Sequence, residues 1–237
     1  MSKIHRFFLN TGFITGETYI TNAELIHQMR TVLKLHEGED IILFNGTGQK
    51  AHAVIRNYDE KGIKIEVVSL EEQNSDSQKI TLYCSVLKRE NFELVVQKAT
   101  ELGVSDIIPL ITKRTIKTGL KQSRLEKIAI EAAEQCGRVQ IPTIHEPISF
   151  PDALQKAQDH DLVIILHTQG GENKVKNHSY KNIGLFIGPE GGFSEEEIAE
   201  VKKYNYTIRT FPNTILRAET AAIVGVFWVR DQVLKIY

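Results

Sequence analysis

Residues 183–197 read IGLFIGPEGGFSEEE and bring an apolar run, a glycine-rich turn and a helix start into immediate succession. The run from Ile183 to Ile187 does not alternate apolar with polar residues, which is typical of a strand buried on both faces of a parallel sheet. Ser194 and Glu197 form a capping-box pattern that fixes where the next helix begins. This succession predicts an α/β domain, in which ligands bind beyond the carboxyl ends of the strands.

The sequence on both sides of this segment repeats the alternation of strands and helices. We predict strands at 80–86, 107–111, 162–166 and 207–211, and helices at 92–102, 124–136, 153–158, 195–204 and 218–233. Residues 80–237 are therefore assigned to one α/β domain. Its chemistry is expected in the turns after Leu166, Ile187 and Phe211.

The N-terminal part has a different rhythm, dominated by short strands. Predicted strands are 3–8, 40–44, 51–56 and 62–70, with one helical stretch at 22–35. Asn45-Gly46 is a hairpin signal because both residues tolerate positive φ. The pattern predicts a small antiparallel barrel over residues 1–72. The polar residues that follow it predict a linker at 73–79.

Composition excludes several classes of protein. Hydrophobic residues make up 41% of the 237, enough for a sizeable core, so wholesale disorder is excluded. The 29 basic and 30 acidic residues nearly cancel, so any basic surface must be local. The apolar run 221–229 is too short for a bilayer, which needs about 20 residues. With no signal peptide pattern and no disulfide framework, we expect a cytoplasmic protein without a membrane segment.

The sequence has no complete match to the common dinucleotide-binding or metal-binding motifs. Gly46-Thr-Gly48 resembles a dinucleotide loop, but a strand pattern follows it where a helix would be required. The eight histidines show no metal-binding spacing, so no metal site is expected.

The turn Gly188-Pro-Glu-Gly-Gly-Phe193 is a candidate ligand site, because its glycines let the backbone approach a ligand closely. An ordinary strand–helix connection is the alternative. Glu190 argues against a phosphate and favours a cationic or neutral ligand. His167 ends a buried strand, where it is either a packed polar side chain or part of the site.

The segment 214–221, TILRAETA, opens the last predicted helix. Glu219 suits a first helical turn, but a cation is unfavourable at a helix N-terminus, so Arg217 requires an anionic or carbonyl partner. That partner is either a salt bridge to Glu190 or Glu219, or a substrate.

Residues 113–127 hold six basic side chains and one acidic side chain. A flexible basic loop suits phosphate contacts, although such loops are as often simply solvated.

Five segments together resemble the bacterial small-subunit ribosomal RNA uracil-N3 methyltransferases of the SPOUT superfamily. They are HRFF at 5–8, QKATELGV at 97–104, EAAEQ at 131–135 with Arg138 and Pro142, GPEGGF at 188–193 and ILRAETA at 215–221. They follow the family's order over essentially the whole chain. One departure lies at 211–214, FPNT, where the family usually reads L-G-x-R.

This resemblance implies a small N-terminal PUA-like β-barrel and a C-terminal SPOUT-type α/β domain threaded into a trefoil knot. It also implies S-adenosylmethionine as cofactor, a homodimer, and 16S ribosomal RNA in the small ribosomal subunit as the partner. The residues expected at the cofactor are Leu166, His167, Ile187, Gly188, Glu190, Gly191, Gly192, Phe211, Ile215, Leu216 and Ala221. Those expected at RNA are His5, Arg6, Arg30, Lys113, Arg114, Lys117, Lys121, Arg124 and Arg138.

The two catalytic candidates are Arg217 and Glu219. Arg217 would stabilise the uracil anion, since an arginine is always protonated and makes a poor base. Glu219 would accept the N3 proton, with a water or Glu190 as competitors. The alternatives for the whole protein are a non-catalytic RNA-binding protein and a SPOUT methyltransferase with another target, such as a ribose hydroxyl in transfer RNA.

Overall fold

The protein folds into two structural units in a computed structural model that describes residues 4–73, 77–116, 119–169, 180–204, 206–211 and 214–234. The first unit comprises Met1–Ser75 and Ala133–Ile141, and the second comprises Asp76–Ala132 and Pro142–Tyr237. The first unit thus takes in a short segment of the region that the sequence assigns to the α/β domain.

The first unit is built on a five-stranded sheet with one short helix. Its elements are β1 (His5–Phe8), β2 (Gly16–Ile20), α1 (Ala23–His27), β3 (Asp40–Phe44), β4 (Gln49–Asp59) and β5 (Gly62–Glu72). The strand order is β1-β3-β4-β5-β2, and β1 runs parallel to β3 while the other pairs are antiparallel. The expectation of a purely antiparallel barrel is therefore wrong at β1, and β2 is a strand that the sequence pattern did not indicate.

Burial in this unit follows the period of two that a half-buried strand requires. Ile63, Ile65 and Val67 of β5 are all buried in the core. The hairpin between β3 and β4 lies at the predicted place, but Gly46 and Gly48 supply the positive φ angles of 79° and 120°. Asn45 contributes through its side chain, whose Oδ1 accepts the N–H groups of Thr47 and Gln49 at 3.0 Å.

The predicted helix at 22–35 is shorter than expected. After α1 the chain continues through one wider, π-helical turn, Gln28–Val32. Lys34 then adopts a φ of 54°, a left-handed conformation that a helix cannot contain. The helical path therefore ends before Lys34.

The second unit is an α/β layer structure whose strands all run parallel. The strands are β6 (Lys79–Ser85), β7 (Asp106–Ile111), β8 (Thr143–Ile144), β9 (Ile148–Ser149), β10 (Leu162–Leu166), β11 (Asn182–Ile187) and β12 (Thr207–Arg209). The helices are α2 (Arg89–Glu101), α3 (Gln122–Cys136), α4 (Phe150–Lys156), α5 (Glu195–Val201) and α6 (Ala218–Trp228), and the last turn of α3, from Ala133, is grouped with the first unit. The strand order in the sheet is β12-β10-β11-β6-β7-β8, and β9 also pairs with β7. The parallel sheet is confirmed, and only the two-residue strands β8 and β9 were not predicted.

The central strands of this sheet are buried on both faces, as their unbroken apolar runs predict. Tyr83 of β6 stacks on Phe186 of β11 with ring centroids 4.3 Å apart, and Phe150 of α4 meets Phe186 edge-on. α6 continues into a wider turn, Val229–Leu234. None of the described helices has the length and apolar character that crossing a bilayer requires.

Candidate functional site

A cavity of about 350 Å³ lies where β10, β11 and β12 end at the same edge of the sheet. Register places Leu166 beside both Ile187 and Arg209, so the turns after the three strands converge. The cavity is lined by Leu166, His167, Thr168, Ile187, Gly188, Pro189, Glu190, Gly192, Phe193, Arg209, Thr210, Phe211, Thr214, Ile215, Leu216, Ala218 and Ala221. All of the expected cofactor residues except Gly191 are in this set.

The glycine-rich turn has a tightly determined backbone. Gly192 donates its N–H to the Pro189 carbonyl at 2.8 Å and has a φ of 68°, which favours glycine. A Cβ on Gly188 would come within 3.2 Å of the Phe193 ring and backbone nitrogen. Position 188 therefore has little room for any side chain.

The helix that follows the turn begins where the sequence predicts. Ser194 Oγ accepts the Glu197 N–H at 3.2 Å, and Glu197 Oε2 accepts the Ser194 N–H at 2.7 Å, which completes the capping box. The other carboxylate oxygen of Glu197 accepts the Lys113 N–H at 2.9 Å.

Glu190 and Gly191 make contacts that the sequence does not reveal. Glu190 is exposed, and its Oε1 accepts the backbone N–H of Lys88, the residue that precedes α2, at 3.3 Å. Gly191 does not line the cavity, and its carbonyl accepts Nη1 of Arg114 at 2.5 Å. Arg114, one of the basic residues of 113–127, thus contacts the turn through the turn's backbone.

The opposite wall of the cavity connects β10 with β12. His167 donates its N–H to the Arg209 carbonyl at 3.0 Å, and Thr210 Oγ1 donates to the His167 carbonyl at 2.9 Å. The Arg209 guanidinium lies 4.0 Å from the centroid of the Trp228 ring, which Phe211 approaches edge-on. The cation–π contact fixes the Arg209 side chain at the cavity.

Sequence reasoning missed seven of the lining residues, namely Thr168, Pro189, Phe193, Arg209, Thr210, Thr214 and Ala218. Most are chain neighbours of residues that were expected there. Arg209 carried its own signal, because it is a charged residue at the carboxyl end of a strand directly before the expected ligand loop.

Arg217 and Glu219 lie beside the cavity without lining it. Arg217 is exposed at the N-cap of α6, between the lining residues Leu216 and Ala218, and its side chain makes no capping bond. Within the described residues no ion pair involves Arg217. Glu219 is 9% exposed, and no hydrogen-bond partner for its Oε2 is found in the described part of the chain.

Cys84 is a buried thiol of β6. Burial raises the pKa of this thiol, and the charges of Glu190 and Glu219 raise it further. Cys84 therefore stays protonated and is unsuited to nucleophilic chemistry.

The predicted RNA residues of the second unit are not equally available. Arg124 donates to both carboxylate oxygens of Glu93 at 3.0 and 2.9 Å, and Arg89 pairs with the same carboxylate. Both guanidinium groups lower the pKa of Glu93, and that of Arg124 has the larger effect. Lys113 and Lys121 are exposed, and Lys113 Nζ lies 3.6 Å from Glu196 Oε2 in a long ion pair. Lys117 lies outside the described residues.

The first unit carries the other four RNA candidates. Arg6 is exposed and packs against Gly137, and the exposed Arg30 lies 5.7 Å from the centroid of the Tyr58 ring. His5 stacks on Phe7, and Arg138 is half-buried.

A metal site would need several ligating side chains to converge. Across the described ranges no group of three or more His, Cys, Asp or Glu side chains is placed to hold a metal ion.

Comparison with known proteins assigns both units to families. Residues 74–230 match the RNA methyltransferase domain family, and residues 20–68 match the RNA methyltransferase PUA domain family. The ribosomal RNA small subunit methyltransferase E of Rickettsia conorii is 30% identical over 234 residues, which cover 96% of each chain.

Two solved structures agree with these matches. The ribosomal RNA small subunit methyltransferase E of Neisseria gonorrhoeae, bound to S-adenosyl methionine, is 25% identical. The match covers 96% of this chain and 97% of that one, with a TM-score of 0.88. A Legionella pneumophila protein in complex with the bound cofactor SAM is 30% identical, with the same coverage and a TM-score of 0.86. The family that the five sequence segments indicate is thereby confirmed: the chain belongs to the RNA methyltransferases, with a PUA-like N-terminal domain and a parallel-sheet methyltransferase domain.

Proposed function

We propose that this protein transfers a methyl group from S-adenosylmethionine to N3 of a uridine in 16S ribosomal RNA of the small ribosomal subunit. The observation that carries the proposal is the cavity, because GPEGGF and ILRAETA, two of the segments that mark the family, both line it. The Rickettsia and Neisseria relatives are both named for the small-subunit ribosomal RNA.

The cavity fits such a cofactor in size and chemistry. Its volume lies in the range of small-molecule sites, about 300–1,000 Å³. Leu166, Ile187 and Phe211 offer apolar walls, and the glycine turn offers backbone groups. Glu190 suits the positive charge of the ligand. When bound, S-adenosylmethionine supplies an electrophilic methyl group on a positively charged sulfur.

Arg217 is proposed to stabilise the uracil anion. When N3 loses its proton, negative charge spreads to the two carbonyl oxygens of the ring, and a guanidinium fork can donate to them. The absence of an ion pair on Arg217 within the described residues supports this role. The side chain is exposed beside the cavity and free to meet RNA.

Glu219 is proposed to accept the N3 proton. Its Oε2 is buried without a partner in the described part of the chain, so it retains a lone pair for an incoming proton. Glu190 remains a competitor, because it lines the cavity and the Lys88 N–H engages only its Oε1. Once the proton has moved to the carboxylate, the N3 electron pair forms the bond to the methyl carbon, while the electrons of the broken carbon–sulfur bond stay on sulfur.

RNA binding is proposed to involve exposed basic side chains of both units, among them Lys113, Lys121 and Arg6. A purely RNA-binding role would not require a cavity of this size beside Arg217 and Glu219. The exposed apolar residues Val224 and Phe227 on α6 favour the proposed homodimer. We also propose the trefoil knot of the family and, from the ribosomal substrate, a cytoplasmic location.

A methylation assay on ribosomal subunits tests the function. Small subunits from a strain lacking this gene are incubated with the protein and S-adenosylmethionine, and the 16S RNA is digested and mapped by mass spectrometry. We expect one new 3-methyluridine, absent when the cofactor is omitted. A methyl group found on a ribose, or on transfer RNA offered in parallel, would contradict the proposed target.

A further inference from the structure

Arg209 is a charged residue of the cavity that the proposed chemistry does not use. It ends β12 in register with Leu166, lines the cavity and stacks on Trp228. Its Nε is buried, and no hydrogen-bond partner is found for it among the described residues. An unsatisfied donor on a charged group is unfavourable, so this nitrogen is suited to an acceptor that arrives with a ligand.

The stacking defines which part of Arg209 can act. One face of the guanidinium is covered by the Trp228 ring, so the N–H groups along its edge remain for hydrogen bonding. A planar edge with parallel donors matches a carboxylate better than it matches a single hydroxyl.

Charged side chains of opposite sign line two sides of the cavity. Glu190 follows β11 and Arg209 ends β12, with β10 between the two strands. Neighbouring strands lie about 4.8 Å apart, so the two strand ends are separated by about 10 Å. The cavity therefore presents a carboxylate on one side and a guanidinium on the other, which suits a ligand that carries both charges.

We propose that Arg209 recognises the carboxylate of the amino-acid part of S-adenosylmethionine and makes the cavity selective for adenosine ligands that carry an amino acid. This inference rests on the proposed use of the cavity for that cofactor. Of the groups in the ligand, the carboxylate is the one that is anionic. Arg209 is thus a specificity-determining residue, distinct from Arg217 at the substrate side.

Calorimetry with two ligands tests the proposal without relying on activity. S-adenosylhomocysteine has the amino-acid carboxylate, and 5′-methylthioadenosine lacks the whole amino-acid part while keeping adenosine and sulfur. We expect the unaltered protein to prefer S-adenosylhomocysteine. Arg209→Gln should weaken that ligand by about 10- to 100-fold, the range for one lost bond to a charged group, and leave methylthioadenosine unchanged.

Arg209→Lys is the second variant, because it keeps the cation beside Trp228 and serves if the glutamine variant is unstable. It should lose part of the affinity for S-adenosylhomocysteine and none for methylthioadenosine. An equal loss for both ligands in these variants would make Arg209 a structural residue of β12 and overturn the inference. Failure of the unaltered protein to bind either ligand would instead refute the proposed cofactor.

Discussion

Arg217 occupies a helix position that arginine normally avoids. The N-cap of a helix favours Asn, Asp, Ser or Thr, whose side chains accept a free backbone N–H, and the positive end of the helix dipole disfavours a cation. Arg217 has the extended N-cap conformation, with a φ of −63° and a ψ of 154°, yet makes no capping bond. A residue that costs helix stability at an exposed position is best explained by its function.

Replacement of Arg217 by Asn separates stability from rate. Asparagine is a favourable N-cap, so the melting temperature should stay equal or rise, while methylation of small subunits should fall about a hundredfold through the loss of roughly 3 kcal/mol in the transition state. Single-turnover methylation and thermal unfolding measure the two effects. Arg217→Lys, which keeps the charge without the planar fork, should also be slow. Normal turnover in the asparagine variant would refute the catalytic role.

At the scale of elements, the two central glycines of the turn have different roles. Gly192 lines the cavity at a positive φ, whereas Gly191 faces the Arg114 side chain, 3.3 Å from where a Cβ would lie. A flexible side chain can move aside, but a branched residue at positive φ is strained.

In Gly192→Val the strained turn should relax away from its present conformation, and restoring that conformation for binding costs about 1–3 kcal/mol. The affinity for S-adenosylhomocysteine should therefore fall by about 5- to 150-fold. Gly192→Asn is the control, because asparagine tolerates a left-handed φ better than valine does, and it should lose less affinity than Gly192→Val. Calorimetry measures both variants. If the asparagine control lost as much affinity as Gly192→Val, the positive φ would not be the cause.

The basic segment, residues 113–127, contains side chains with different partners. Lys113 and Lys121 are exposed, so the double change to Gln should reduce RNA affinity and flatten its dependence on salt by about one unit of slope per lost phosphate contact. Filter binding of small-subunit RNA at several salt concentrations measures the slope. Arg114 is left intact, because its bond to Gly191 would confound RNA binding with cofactor binding. An unchanged slope would show that these lysines do not contact RNA phosphates.

Arg124→Gln is the control for the double lysine variant, because the Arg124 guanidinium already pairs with the Glu93 carboxylate. The pKa of Glu93 is lowered in the folded protein, so its stabilising contribution exists above the unfolded pKa and is lost as the pH falls through the folded one. Arg124→Gln should reduce this acid-dependent loss of stability, measured by denaturant unfolding between neutral and acid pH. Its effect on the RNA salt slope should be small.

The parts of the fold that sequence could predict are those whose signal lies within one segment. The run 183–187, the capping box and the alternation of Ile63, Ile65 and Val67 each predict their element correctly. Strands β8 and β9 have two residues each, too few for a period. The pairings Arg124–Glu93 and Arg209–Trp228 join side chains from different elements, so only the fold could reveal them.

At the scale of the whole molecule, α6 carries apolar side chains that its own unit leaves exposed. Phe227 is 56% exposed and Val224 is 37% exposed, although both belong to a helix that also contributes to the core. Exposed apolar side chains on one helix are typical of a protein–protein interface. The face suits a second copy of the chain, as the proposed homodimer requires.

Phe227→Glu should convert the proposed dimer into a monomer, because a carboxylate would have to be desolvated in the proposed apolar interface. Light scattering at several concentrations measures the mass. Ile14→Glu, which changes a side chain of the first unit that is 77% exposed, should leave the mass unchanged. A monomeric mass for the unaltered protein, or an unchanged mass for Phe227→Glu, would contradict a dimer formed through this face.

In the proposed function, the bond between Arg114 and the Gly191 carbonyl makes one side chain common to RNA binding and cofactor binding. A phosphate that draws Arg114 away releases the carbonyl of the glycine turn, and a ligand that orders the turn changes how readily Arg114 leaves it. The resulting coupling is reciprocal, so RNA alters cofactor affinity by the same factor as the cofactor alters RNA affinity. The free energy of the complex with both ligands is then the same whichever ligand binds first.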